Sequence, residues 1–233
     1  MTAAQAQKQL HALASPELAV ASARFFKTGP GQYGEGDIFI GVRVPTLRKL
    51  AHELRGLPLA EVEILLHSPN HEERSLALMV LVLRAAKAAE TERKVIFDLY
   101  LRNTEFVNNW DLVDSSAPAL VGGHLADKNR KRLVTLAKSE SLWERRIAIV
   151  ATQHFIQLGD FDDTLKISRL LLADKEDLIH KAAGWMLREV GKKHEPTLIG
   201  FLKDHATVMP RTMLRYAVER LSPEKRREFL LRK

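Results

Sequence analysis

Along most of the chain apolar residues recur every three or four positions, and strand-like alternation is confined to one stretch. The spacing predicts a helix over 2–14, a second from the Ser15-Pro16 start to about Phe26, and a third from Pro45 to about Leu54. Serine followed by proline suits a cap and a first helical position, because proline lacks an N–H that would be unpaired there anyway. Further helices are predicted at about 59–67, 71–87, 89–102, 109–121, 128–138, 141–157, 162–173, 176–191, 194–204 and 210–220, with a short tail helix from Pro223. Breaks are expected at Ser68-Pro69-Asn70, Gly122-Gly123, Gly159-Asp160 and Ala173-Asp174. One segment departs from this rhythm. Thr28 to Asp37 is glycine-rich, and Ile38 to Val44 is β-rich with Gly41 inside it. Residues 28–44 therefore read as a small β-hairpin or an ordered loop standing out from the helices. Gly29, Gly31 and Gly34 fit G-x-G-x-x-G, but no strand precedes them and no βαβ unit surrounds them, so the dinucleotide reading is rejected.

An internal repeat runs through the helices. Arg74, Trp110, Arg146 and Ala182 lie 36 residues apart, each near the start of a long helix, and a looser fifth copy begins near Pro210-Arg211. A period of this length with two helices per unit is the mark of an α-solenoid of the HEAT or TPR type. TPR signatures are missing, so the fold class is all-α, a HEAT-like helical-repeat α-solenoid forming a single domain over 1–233. The second helix of every pair in such a stack lines one concave face. Trp110, Asp114, Arg146 and Trp185 are therefore expected to converge.

Composition narrows the partners. Hydrophobic residues make up 45% of the chain, which places it among globular proteins. No apolar run is long enough to span a bilayer and the N-terminus has no signal-peptide pattern, so a cytoplasmic, monomeric protein without a membrane partner is expected. Cysteine is absent, which excludes disulfides and thiolate metal sites. Lys and Arg total 36 against 29 Asp and Glu, a net charge of +7. That excess favours a polyanion, most commonly nucleic acid, although a merely soluble basic protein has the same balance. Candidate phosphate contacts on the inner helices are Arg74, Arg145, Arg146, Lys181, Arg188, Arg211 and Arg215. Arg146 and Arg188 follow the repeat phase of the tryptophans.

The candidate chemistry sits in Asn108-Asn109-Trp110-Asp111-Leu112-Val113-Asp114. Trp110 and Asp114 are four apart and share a helix face, with Asn108 and Asn109 at the capping positions. An indole beside a fixed anion suits a flat cation. Taken alone, the pair also reads as a core tryptophan and a solvated aspartate. A carboxylate held there could stabilise an oxocarbenium-like sugar cation and orient water during cleavage of an N-glycosidic bond. A purine alkylated at N3 or N7 already carries positive charge and leaves without a strong general acid. Other catalytic sets are missing. There is no Ser-His-Asp spacing, and His71-Glu72-Glu73-Arg74-Ser75 lacks the second histidine of H-E-x-x-H. His124, His154, His180 and His194 read as polar fillers or caps, and Trp143 as packing. No metal and no cofactor are expected.

These residues resemble a known family, the AlkD-type DNA alkylation repair glycosylases of the HEAT-like repeat superfamily. The matching motifs are Trp110-Asp111-Leu112-Val113-Asp114, Trp143-Glu144-Arg145-Arg146, and Lys181-Ala182-Ala183-Gly184-Trp185-Met186-Leu187-Arg188-Glu189, in the same order and separations along essentially the whole chain. By this resemblance Asp114 is the catalytic carboxylate, Trp110 and Trp185 are the aromatic pair against the lesion's deoxyribose, and Arg146 is the basic partner near the DNA backbone. Phe25 falls where the family can carry a tyrosine, so hydroxyl-dependent contacts are lost there. The implied function is excision of positively charged N3- or N7-alkylated purines from double-stranded DNA, without flipping the base into a pocket as glycosylases generally do.

One stretch pulls another way. Residues 28–44 look longer than the simple link between early helices in that family. Members carrying a β-hairpin there bind branched DNA with little or no glycosylase activity. A non-catalytic branched-DNA binder and a HEAT-like protein scaffold are thus the alternative readings, and the Trp/Asp/Arg/Trp set favours the enzyme.

Overall fold

Some helix starts in this chain are written by polar side chains, and the computed structural model, which describes residues 1–231, shows them in use at the first two helices. In α1 (Ala3–His11) the Gln5 N–H donates to Thr2 Oγ1 while the Thr2 N–H donates to Gln5 Oε1, a reciprocal cap. In α2 (Pro16–Phe25) the Leu18 N–H donates to Ser15 Oγ and Pro16 takes the first helical position, as the sequence predicts. All regular secondary structure among the described residues is helical. None of these helices is long and apolar enough to cross a membrane. The chain divides into two compact units, Met1–Leu120 and Val121–Lys233.

The first unit is built on α5 (His71–Ala85), which packs against α3 (Val44–Glu53), α4 (Leu59–Leu66), α6 (Glu90–Arg102) and α7 (Trp110–Ala117). Every residue from His71 to Leu78 is buried, including four charged or titratable side chains in succession, His71, Glu72, Glu73 and Arg74. Leu47, Leu66, Leu76, Leu81, Tyr100, Leu112 and Val113 form the surrounding core.

In the second unit α13 (Asp177–Lys193) is the central helix. It packs against α10 (Leu142–Ala151), α12 (Asp162–Leu170), α14 (Glu195–His205) and α15 (Arg211–Ala217). A Cβ on Gly184 would stand 2.4 Å from the Met213 carbonyl oxygen and 2.6 Å from Tyr216 Cβ, so glycine permits α15 to lie this close.

Two expectations about breaks need correction. Gly122-Gly123 does not end the helical structure, because a turn of π-helix at Pro118–Gly122 leads directly into a short helix at Gly123–Leu125. Proline at 118 cannot donate to the preceding turn, which fits the widening there. The long helix predicted over 141–157 is divided at Thr152, whose hydroxyl donates to the Ile149 carbonyl (2.6 Å).

The 28–44 segment is a loop of turns and not a hairpin; its one bridge pairs Ile38 with Asn70. It does not stand out from the helices either. Glu72 on α5 accepts the N–H groups of Ile40 (3.0 Å), Gly41 (2.8 Å) and Val42 (3.2 Å), donors that a partner strand would otherwise take. Gly41 has φ +83°, and a Cβ there would meet the Ser15 carbonyl at 2.0 Å. The backbone passes flush against the start of α2, where no side chain fits.

Candidate functional site

The first turn of α7 is anchored from both sides. Asn109, fully buried, accepts the Trp110 N–H on its Oδ1 (2.8 Å) and donates from Nδ2 to Asp37 Oδ2 (3.2 Å). Asp37 comes from the loop, and Arg74 NH2 donates to its Oδ1 (2.6 Å). His71 lies between two carboxylates, with Nδ1 2.8 Å from Asp37 Oδ2 and Nε2 2.8 Å from Asp111 Oδ2. The result is a continuous chain, Arg74–Asp37–His71–Asp111, across α5, the loop and α7.

Burial alone would favour a neutral ring at His71, whose side chain is 3% exposed. The hydrogen bonds to Asp111 and Asp37, with their charges, outweigh it and push its pKa up to about 9. Burial likewise acts to raise the Asp37 carboxyl, but its bonds and charge interactions with His71 and Arg74 hold it below the ordinary carboxylate range. The ring is therefore an imidazolium at neutral pH, donating from both nitrogens.

Aromatic rings cover this chain. Phe39 stacks on His71 with centroids 4.4 Å apart, and Phe26 lies 5.0 Å from both Phe39 and His71. The Trp110 indole stacks on Phe26 at 5.3 Å with the planes 25° apart. Phe25, 64% exposed, meets Trp110 edge-on at 5.9 Å. Asp114 follows one turn after Trp110 and is half-buried. Burial raises the pKa of the Tyr100 phenol, its hydrogen bond with Ser116 Oγ (3.1 Å) lowers it, and the Asp114 charge raises it further. The first unit thus brings together an exposed phenylalanine, an indole and an aspartate from three predicted positions, Phe25, Trp110 and Asp114.

The predicted phosphate contacts fare differently. Arg74 is 4% exposed, and its guanidinium donates to Ser68 O (2.9 Å), Pro69 O (3.1 Å) and Asp37. It is a structural cation of the first unit and not a surface contact. In the second unit Arg145 is spent on the Asp174 carboxylate (2.6 Å) and on the carbonyls of Ser139 and Glu140. Arg146 is 5% exposed and donates to the Leu178 carbonyl (2.6 Å), tying α10 to α13. Arg188 pairs with Glu219 and approaches Glu189 Oε1 at 3.7 Å. Lys181 pairs with Asp177 one turn earlier (2.7 Å) and stays half-exposed. Arg211 donates to the Leu230 carbonyl (3.1 Å), and Arg215 is exposed. Trp185 is half-buried on α13. Repeat phase identifies a helix position, but it does not separate a surface cation from one consumed by a neighbouring carbonyl or carboxylate.

Sequence reasoning missed Asp37, His71, Phe26 and Phe39 as members of this cluster. Asp111 was in view only as part of the tryptophan motif. Exposed cations do flank the aromatic rings in the chain, at Arg24 and Lys27 on either side of Phe25-Phe26. Among the described residues no group of three His, Asp or Glu side chains is arranged to hold a metal ion.

A family model described as "DNA alkylation repair enzyme" matches residues 6–221. A solved structure described as a predicted DNA alkylation repair enzyme from Enterococcus faecalis superposes with a TM-score of 0.71 at 20% identity, covering 90% of this chain and 97% of that one. No curated protein matches the chain. At that identity the structural likeness speaks for the fold, an all-helical repeat, while the family model reaches across both units.

Proposed function

The chain belongs to the DNA alkylation repair enzyme family, and from that premise we propose that it is a DNA glycosylase removing positively charged N3- or N7-alkylated purines from duplex DNA. The observation that carries the reading is the face of α7 on which Trp110 and Asp114 stand one turn apart, with Phe25 edge-on to the indole. Aromatic faces attract cations and carboxylates stabilise them, and both the alkylated base and the sugar in the transition state are cationic.

In the proposed reaction the bond between C1′ and the base nitrogen breaks, and its electron pair neutralises the leaving purine. Positive charge moves to C1′ and the ring oxygen, where Asp114 stabilises it. Water adds to C1′, and its proton passes to Asp114 or to solvent. Because the leaving base needs no protonation, one carboxylate suffices. Trp110 and Phe25 rest against the deoxyribose. The base stays unflipped, and the enzyme acts as a cytoplasmic monomer.

The branched-DNA alternative drew on a hairpin at residues 28–44, and that segment forms none. Incubation with duplex DNA carrying 7-methylguanine or 3-methyladenine, followed by measurement of free base, tests the proposal. Release above the spontaneous rate is expected, and Asp114→Asn should lose it by about a hundredfold or more while still binding DNA. Background release from the wild-type chain, with tight binding to four-way junctions, would replace the enzyme reading with the binding one.

A further inference from the structure

Beneath the Trp110 face lies a buried ion chain that the proposed chemistry does not use. We infer that His71 is a positioning residue for that site: as an imidazolium bridging Asp37 and Asp111 it fixes the first turn of α7 and, through Phe26, the plane of the Trp110 indole. The inference rests on the glycosylase reading for its kinetic consequence and on geometry for everything else.

The geometry requires the charge. Both ring nitrogens of His71 lie 2.8 Å from a carboxylate oxygen. A neutral imidazole has one N–H, so one of its nitrogens would turn a lone pair toward an anion at that distance. Only the doubly protonated ring donates to both. The groups facing it are Asp37 from the loop, Asp111 from α7, and Arg74 from its own helix acting through Asp37; α2 and the loop supply the uncharged rings of Phe26 and Phe39. These faces suit a cation as well.

Trp110 is moored to this charge by two routes. Along the backbone, its N–H is capped by Asn109, which donates to Asp37, and its neighbour Asp111 accepts directly from His71. Along the side chain, its indole stacks on Phe26, which in turn lies 5.0 Å from His71. Loss of the second N–H frees one end of the bridge, and both routes loosen together. A core histidine that merely filled space would depend on shape and not on its proton.

The test follows the near-UV circular dichroism of the indoles across pH in the full chain, for wild type, His71→Gln and Trp110→Phe. A transition near pH 9 is expected in wild type. It should be missing from His71→Gln and from Trp110→Phe. In parallel, single-turnover excision of 7-methylguanine at saturating enzyme should fall about 10- to 100-fold in His71→Gln, as expected for a misplaced contact surface, with affinity for undamaged duplex within about twofold of wild type. A wild-type transition that survives in His71→Gln, or a variant with the wild-type rate at saturation, overturns the inference. Should wild type release no base at all, the glycosylase reading fails by itself, and the spectral transition still decides the positioning role. If His71→Gln does not fold, wild type against Trp110→Phe carries the spectral test: no indole transition near pH 9 in wild type, or the same one in both proteins, refutes the inference.

Discussion

The buried imidazolium makes a quantitative prediction about stability. His71 takes up its proton at about 9 in the folded chain against 6.5 for an ordinary histidine. Each pH unit of such a difference corresponds to about 1.4 kcal/mol, so the bridge stabilises the folded chain by about 3 kcal/mol when fully charged. Because the folded value is the higher one, the contribution is fully present below about pH 6.5. It declines as pH rises through the window and is lost above about pH 9. Set against typical domain stabilities of about 5–15 kcal/mol, the change is large enough to measure. Urea unfolding of wild type and His71→Gln at several pH values between about 6 and 10 isolates it, since other titrating groups contribute to both proteins and cancel in the difference. The wild-type advantage should shrink by about 3 kcal/mol across that range. A difference that stays flat, or grows with pH, would show that His71 is neutral in the folded protein and that the ion-chain argument is wrong.

Glu72→Ala removes the acceptor of three backbone N–H groups in the 40–42 loop; a loss of about 2–5 kcal/mol in chemical unfolding is expected, with faster proteolysis within residues 28–44. Gly184→Ala places a methyl 2.4 Å from the Met213 carbonyl oxygen, so α15 must shift; a drop of about 1–3 kcal/mol should appear as a lower thermal midpoint. Phe25→Ala takes away the exposed ring beside Trp110 without touching the core; stability should change by less than about 0.5 kcal/mol while DNA affinity in a titration falls severalfold, and Phe25→Tyr should retain it.

Helices were legible because their signals are local. Ser15-Pro16 and Asn109 announce starts by chemistry confined to a few neighbours, and both work as caps in the folded chain. The Trp110–Asp114 face was legible for the same reason, since an i,i+4 pair on a helix is fixed by the helix itself. The choice between hairpin and ordered loop for residues 28–44 stayed open because the partner of this stretch is a side chain 30 residues away. The β-rich run from Ile38 to Val44 has the composition of a strand, and what replaces the partner strand is the Glu72 carboxylate on α5. Nothing in the spacing of acidic residues distinguishes Glu72 from its neighbour Glu73. The ion chain was invisible for a related reason. Asp37, His71 and Asp111 lie 34 and 40 residues apart and meet only after three elements have packed. Arg74 shows the converse failure: it stands at the correct phase of the repeat, and that phase placed it in the core.

A site for cationic substrates would gain nothing from a bare cation beneath it, and the charges of the ion chain show how that conflict is avoided. Arg74 and His71 each bring one positive charge, and Asp37 and Asp111 each bring one negative. At neutral pH the four cancel, and the alternation of sign along the chain confines their fields to the bonds between them. On the glycosylase proposal, His71 can therefore hold α7 from below without repelling the positively charged purine assigned to the Trp110 face. The arrangement separates two tasks that a single carboxylate could not perform together. Asp111 is committed to the buried bridge on one of its oxygens, and the glycosylase proposal assigns the sugar to Asp114, one turn further along the same helix. On that proposal the motif's two aspartates, three residues apart, have separate tasks, and substitution at Asp111 should disturb the placement of Trp110 before it disturbs the chemistry.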